Sequence, residues 1–202
     1  MSVTQIKNRF TGAVVFEAEV DGETESIRLG LALQLSLKNN ANLAGANLAG
    51  AYLARANLAG ANLTDAKGIN KYLTTPLYLL FDQPGKIRAY KVVLENGEGI
   101  YSRSQGYTPI VYRVGETYKV ENASTNEQEH CAAGISLATL DWCIKEWELG
   151  RRIMVAEFSR KDIACIPIGS DGKFRVHSCK IVGEKDLKEL GLVKDEVDGG
   201  HE

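Results

Sequence analysis

The chain has few cysteines and no long apolar run, which argues against a disulfide-rich protein and against a membrane-spanning one. Its 202 residues include four cysteines, which are too sparse for a disulfide scaffold and lack the close pairing of a zinc ribbon. No apolar run approaches the roughly 18 residues of a membrane span, and the first ten residues lack the apolar core of a secretory signal. The sequence therefore predicts a cytoplasmic protein without a membrane partner or a bound metal, whose cysteines are reduced and mostly buried.

An excess of charge of either sign is also lacking. The chain has 24 basic and 26 acidic residues, so its formal net charge is only −2. Since proteins that bind nucleic acid usually carry a basic footprint, this balance argues against duplex nucleic acid as a partner. What is present is ordinary for a soluble globular protein: 44% hydrophobic and 25% charged residues, in a length that holds one large or two modest domains.

The most regular feature of the chain is a five-residue repeat. Residues 41–65 are the consecutive units ANLAG, ANLAG, AYLAR, ANLAG and ANLTD, and a sixth unit begins at Ala66. A period of five fits neither the helical period of 3.6 residues nor the strand period of two. On a helix, each step of five would rotate the leucines by about 140°, and each glycine would cost about 1 kcal/mol relative to alanine. A plain helix is therefore the less favoured alternative.

Consecutive units of this kind resemble the pentapeptide-repeat family. The resemblance implies a short right-handed quadrilateral β-helix over residues 41–67, with one unit on each side of a four-sided coil. It places inward the repeated leucines and the alanine two positions before each of them, that is Leu43, Leu48, Leu53, Leu58 and Leu63 with Ala41 and its equivalents. It places outward Asn42, Tyr52, Asn57 and Asn62.

If four units make one coil, the repeat gives little more than a single coil. Both ends would then expose unpaired backbone edges that need covering. Residues 1–40 are predicted to form a β/helix cap, with a strand or hairpin at Val14–Val20, and residues 68–85 a capping segment and linker. A second copy of the chain is the other source of a cap, so we expect a homo-oligomer.

Residues 27–38 are ambiguous. Their leucines alternate as in a strand, whereas the abundance of Leu, Ala, Gln and Lys and the scarcity of β-branched residues favour a helix. We favour the helix, ending near Asn39 and Asn40.

Residues 86–187 are predicted to form a small α+β domain with an antiparallel sheet and one main helix, followed by a flexible acidic tail over 188–202. The helix is expected over residues 137–148, with Ser136 as its N-cap. Strands are expected at Lys86–Leu94, Gly99–Arg103, Ile110–Val114, Arg152–Phe158, Ile163–Ile168 and Lys173–Val182. The complete fold is thus mixed β and α+β.

This second domain also carries a resemblance. The runs HCAAGISLATLDWCIKEW and EFSRKDIACIPIGSDGKFRVHSCKIVGEKDL resemble a small domain of unassigned function that follows pentapeptide repeats in phage and prophage proteins. They are also similar to the C-terminal region of the rIIB-type proteins of tailed phages. Ser136 stands where that pattern usually has a histidine, so a function that needs the imidazole is not expected here.

Cations and aromatic residues recur on the predicted strands of this domain. If several share a sheet face, they suit a small anionic ligand that can stack, such as a nucleotide. The candidate ligand-binding residues are Tyr90, Lys91, Arg103, Tyr112, Arg113, Asp162, Lys173 and Arg175. The alternative is a solvated face, or a buried pair between Asp162 and Arg175.

The main hypothesis is a non-enzymatic phage or prophage accessory protein in the host cytoplasm, an oligomerising scaffold with a domain that binds a host or phage protein. The alternative is a protein that binds or sequesters a small anionic nucleotide signal. An enzyme is less expected, because no nucleophile and base, paired carboxylates or phosphate loop can be assembled, and no cofactor is expected. A mimic of duplex DNA is also less expected, because the repeat is short and slightly basic.

Overall fold

The computed structural model describes residues 2–49, 51, 66–100 and 108–193. The chain divides into two compact units. The first consists of Met1–Asp82, Thr125–Ala132 and Cys165–Asp171, and the second of Gln83–Ser124, Ala133–Ala164 and Gly172–Glu202. Two segments that sequence analysis assigned to the second domain, Thr125–Ala132 and Cys165–Asp171, thus belong to the first unit.

The first unit begins with an antiparallel hairpin of strands β1 (Ser2–Lys7) and β2 (Val14–Val20), followed by helix α1 (Glu25–Lys38). The hydroxyl of Thr24 accepts a hydrogen bond from the backbone N–H of Ile27 and so caps the start of the helix. The helix ends at Asn39, and Asn40 has a left-handed φ of 52°. The predicted helix is therefore confirmed over the strand alternative.

The described part of the repeat has the expected inside and outside. Leu43 and Leu48 are fully buried, whereas Asn42 and Asn47 are exposed. The core of the first unit joins these leucines to the hairpin and to helix α1, through Ile6, Ala32, Leu33, Ala46, Ala51 and Ile168. The predictions for Tyr52, Leu53, Asn57, Leu58, Asn62 and Leu63 lie outside the described residues.

A parallel bridge joins Asn47 to Lys67, which lies twenty residues, or four repeat units, later in the chain. The backbone N–H of Leu48 donates to the carbonyl of Lys67 at 2.8 Å, and the N–H of Lys67 donates to the carbonyl of Ala46 at 3.0 Å. Parallel pairing at this separation is the spacing that a coil of four units per turn requires.

Residues before the repeat pair with its first units. The N–H of Arg9 donates to the carbonyl of Gly45 at 2.8 Å, and the N–H of Asn47 donates to the carbonyl of Lys7 at 2.8 Å. The hairpin therefore supplies partners to backbone groups of the repeat that would otherwise need water or another chain.

Gly68, directly after the repeat, leaves almost no room for a side chain. Its φ is +80°, and a Cβ there would lie 2.2 Å from Cα of Ala49. We expect Gly68→Ala to lower the melting temperature strongly, because both the backbone conformation and the close approach exclude a side chain. Gly85 is a matched control, since its φ is +74° and nothing lies within 4 Å of its added Cβ. Gly85→Ala should cost only about 1 to 2 kcal/mol, and equal melting temperatures for the two variants would contradict the close packing at Ala49.

The second unit is built on a seven-stranded sheet. Its strands are β3 (Lys86–Leu94), β4 (Thr117–Lys119), β5 (Ile135–Ala138), β6 (Arg151–Ser159), β7 (Ile163–Cys165), β8 (Lys173–Val176) and β9 (Ser178–Glu184). Their order across the sheet is β4-β9-β6-β3-β5-β8-β7. The β3 and β6 strands pair antiparallel along their whole lengths, from Lys86 with Ser159 to Leu94 with Arg151. The predicted antiparallel sheet is therefore confirmed.

The predicted helix over residues 137–148, capped by Ser136, is wrong. Ser136 lies within β5, which pairs antiparallel with β8 and buries Ile135 and Leu137. The helix α2 (Leu140–Lys145) is shorter and has Thr139 as its N-cap. The spacing of apolar residues was misleading because the first of them belongs to a buried strand.

Four other strand predictions also need correction. The expected single strand Lys173–Val182 bends at His177, whose N–H donates to the carbonyl of Asp162 at 2.7 Å and whose carbonyl accepts from the N–H of Val120 at 2.8 Å. The halves before and after His177 are β8 and β9, which lie near opposite ends of the sheet. Since one residue joins them, the sheet is strongly curled. The expected strand Ile163–Ile168 ends at Cys165.

The expected strand Ile110–Val114 is absent, and the described residues of Gly99–Arg103 form no strand either. This stretch makes only isolated bridges in its described part, Val93 with Gly99 and Glu98 with Val111. None of the helices among the described residues is both long and apolar enough to span a membrane.

Candidate functional site

Lys91, on the central strand β3, is a half-buried charged side chain of the second unit. Its ammonium donates a hydrogen bond to the carbonyl oxygen of Ser136 at 3.0 Å and lies 4.6 Å from the ring centroid of Tyr112. The β3 and β5 strands pair at one position only, Tyr90 with Ala138. Ser136 lies outside this pairing of β3 with β5, and its carbonyl accepts its hydrogen bond from the Lys91 side chain instead of from the backbone of β3.

Burial lowers the pKa of Lys91 to about 8, and the nearby charge of Lys173 lowers it further in the same direction. Two thiols oppose this change, those of Cys179 and Cys143. Burial in turn raises the pKa of the Cys179 thiol to about 11 and that of Cys143 to about 12, so both stay protonated and unreactive at neutral pH. The two thiols near Lys91 are therefore not expected to act as nucleophiles.

A row of three residues crosses the sheet beside Lys91. Tyr90 on β3 is paired with Ala138 on β5, which is paired with Lys173 on β8. Directly paired residues share a face of the sheet, so the small Ala138 lies between the tyrosine and the lysine. Trp142 of α2 packs on the same face, and the ammonium of Lys173 lies 5.7 Å from its ring centroid.

A tight backbone contact fixes this arrangement. The N–H of Thr139 donates to the carbonyl of Gly172 at 3.0 Å. Gly172 has a φ of +139°, and a Cβ there would lie 2.5 Å from Oγ1 of Thr139 and 3.0 Å from Cβ of Trp142. The turn before Lys173 can therefore press against the start of α2 only because residue 172 is glycine.

Arg175 and Asp162 do not form the predicted ligand-orienting pair. Arg175 is only 1% exposed, and its Nε donates to the carbonyl of Ser124 at 3.1 Å. The carboxylate of Asp162 accepts hydrogen bonds from both the N–H and the hydroxyl of Ser159, at 2.8 Å and 2.7 Å. Arg175 is thus a core residue, because the chain at Ser124 and Gly134 packs over it, and Asp162 caps a short 3₁₀ helix.

The two remaining arginine candidates are not brought to the site. Arg113 is exposed and lies 4.0 Å from the carboxylate of Glu116. Arg103 lies outside the described residues. Of the eight predicted residues, the structure therefore brings Lys91 to Tyr112 and places Tyr90 and Lys173 on one face of the sheet.

Sequence reasoning missed Trp142, which the structure places beside Lys173. The turn at Asp171 and Gly172 indicates only that the chain reverses just before Lys173. The pairing of β5 with β8 is what brings Lys173 close to Trp142, and local sequence patterns do not show a contact between residues so far apart in the chain.

A second notable surface lies in the first unit, on the 3₁₀ turns Lys71–Leu73 and Pro76–Asp82. We call it the aromatic strip, and its exposed members are Tyr72 (68%), Leu73 (44%), Leu79 (52%) and Phe81 (42%). The buried ring of Tyr78 lies beneath them, 5.0 Å from the ring of Tyr72 and 6.2 Å from that of Phe81. The hydroxyl of Tyr78 donates to the carbonyl of Ile166 at 3.3 Å, which anchors the strip.

Among the described residues, the four cysteines belong to no group of side chains that could hold a metal ion. Cys143, Cys165 and Cys179 are buried, as predicted, and Cys131 is exposed. Within the described ranges, no three His, Cys, Asp or Glu side chains form a group that could hold a metal ion.

Residues 39–67 match the family of pentapeptide repeats, in eight copies. The predicted pentapeptide repeat is therefore confirmed, and such repeats form β-helices. Neither a curated protein nor a solved structure matches the chain.

Proposed function

We propose that the protein is a non-enzymatic accessory protein of phage or prophage type, acting in the host cytoplasm. In this proposal the first unit carries a short right-handed quadrilateral β-helix and assembles copies of the chain, and the second unit binds a host or phage component. The phage assignment rests on the resemblance of residues 86–187 to phage proteins. The assembly role rests on one observation, the aromatic strip.

The strip suits a second copy of the chain. Its four exposed side chains present on the order of 400 Å² of mostly apolar surface, which is the size of the largest apolar patch on a typical monomer, a patch that is often functional. A standard interface buries about 800 Å² on each partner, with an apolar centre and a polar rim. In an isologous dimer each strip would cover its equivalent, and the two strips would form that centre.

Light scattering after size-exclusion chromatography tests the assembly. We expect the wild type to be dimeric at micromolar concentrations, and the double variant Tyr72→Ser/Phe81→Ser to be monomeric, because it removes both aromatic members of the interface centre. Leu149→Ser is the matched control, since Leu149 is 88% exposed in the second unit and should leave the dimer intact. A wild type that is monomeric across this range would contradict the proposal.

A second candidate function is binding of a small anionic nucleotide signal by the second unit. It is favoured by two pairs of a lysine and an aromatic ring in one unit, Lys91 with Tyr112 and Lys173 with Trp142. Lysine is a common ligand of phosphate, and an aromatic ring offers a stacking surface to a base.

A further inference from the structure

We infer that the Lys173–Trp142 pair is the ligand site of the second unit, and that it takes a planar ring carrying a phosphate, with the ring against Trp142 and the phosphate at Lys173. The inference rests on the second candidate function and assigns its residues. It leaves Lys91 and Arg175 outside the contact surface.

Exposure distinguishes the two lysine–aromatic pairs. Tyr112, the partner of Lys91, is only 4% exposed, whereas Lys173 and Trp142 are both half-buried. A ligand can therefore reach Lys173 and Trp142 without displacing the core. Lys91 contributes through its charge, which adds to the positive potential at Lys173.

The site is also held in place before any ligand arrives. The face that carries Lys173 is fixed by pairing across three strands, from Tyr90 through Ala138. Trp142 is fixed by packing against the cluster of Val92, Ala138, Cys143 and Ile153. Since these side chains need little reordering, a ligand loses little affinity to conformational entropy.

The carboxylate of Asp141 lies next to the site. Asp141 precedes Trp142, and its pKa is lowered by the neighbouring Thr139 and by Lys145, whose ammonium lies 3.5 Å from the carboxylate. Its charge is thus engaged by α2 itself. The ammonium of Lys173 supplies a positive charge of the kind that binds phosphate.

Tryptophan fluorescence gives a direct test, because the chain has two tryptophans and Trp147→Phe leaves Trp142 alone. In that background we would titrate adenosine monophosphate, adenosine and inorganic phosphate. We expect the monophosphate to quench Trp142 and to bind at least about tenfold more tightly than adenosine or phosphate, since only it engages both groups. No quenching at millimolar monophosphate, or equal binding of adenosine, would overturn the inference.

Variants of the lysine complete the test. Lys173→Ala and Lys173→Gln should each weaken monophosphate binding about 10- to 100-fold, as expected on losing a charge-assisted hydrogen bond. Lys180→Ala is the matched control, an exposed lysine on strand β9, which does not neighbour β8 in the sheet. An equal loss in the control would show a general charge effect and overturn the assignment of Lys173. Light scattering of the same samples separates the two proposals, because a dimer that fails to bind monophosphate removes only the ligand site.

Discussion

Replacing Arg175 with alanine is expected to lower the free energy of unfolding by about 3 to 5 kcal/mol. Arg175 is among the largest fully buried side chains, and its Nε satisfies the carbonyl of Ser124. Its Cδ lies 3.4 Å from the position that a Cβ on Gly134 would take, so the side chain fills the space under that loop. Alanine leaves both a cavity and a buried carbonyl without its donor.

Urea unfolding measures this loss of stability, and two further variants serve as comparisons. Arg175→Met keeps most of the volume and should cost clearly less than alanine. Arg88→Ala is the surface control: its side chain is 68% exposed and lies 3.8 Å from Glu157, so its loss should change stability by less than about 1 kcal/mol. If the free energy of unfolding of Arg175→Ala were within about 1 kcal/mol of that of the wild type, Arg175 would not be a core residue.

The strands that sequence predicted well are those in which local pattern and long-range pairing agree. Lys86–Leu94 alternates between buried and exposed residues over its first half and ends at the turn of Asn96 and Gly97, and its bounds were predicted as observed. Helix α1 was also predictable, because composition outweighed the alternation of its leucines once Thr24 and Asn39 marked its ends.

Where local pattern fitted two structures, long-range pairing decided and the prediction was wrong. Leu137 and Leu140 have helical spacing, yet Leu137 belongs to β5 because Phe174 on β8 pairs with it. The transfer of Thr125–Ala132 and Cys165–Asp171 to the first unit likewise depends on distant partners, such as the ion pair of Lys71 with Glu127 at 2.5 Å.

The candidate site shows the same division. Lys91 and Lys173 were predictable as cations on strands of one domain. Which of the cations face solvent was not, because Lys173 and Arg175 lie two residues apart on the same strand β8 and alternation places them on one face of the sheet. Arg175 is buried because the chain at Ser124 and Gly134 packs over it, whereas Lys173 stays half-exposed.

Replacing Leu48 with lysine is expected to prevent the first unit from folding. Leu48 is fully buried in the core that joins the repeat to the hairpin and helix α1, so a lysine there would bury an unpaired charge at a cost of about 4 kcal/mol or more. Loss of soluble protein, or of far-ultraviolet circular dichroism and protease resistance, would register this failure.

Asn42→Lys is the control for this experiment, because it adds the same charge to the outer side of the coil. Asn42 is exposed, and its side chain accepts one hydrogen bond from the N–H of Ala44 at 3.0 Å. Losing that bond should cost about 1 kcal/mol, so the variant should stay folded. The sequence predicts the same contrast for Leu53→Lys and Asn57→Lys, which lie outside the described residues. Equal stability of the Leu48 and Asn42 variants would mean that the leucines of the repeat do not line the interior of the coil.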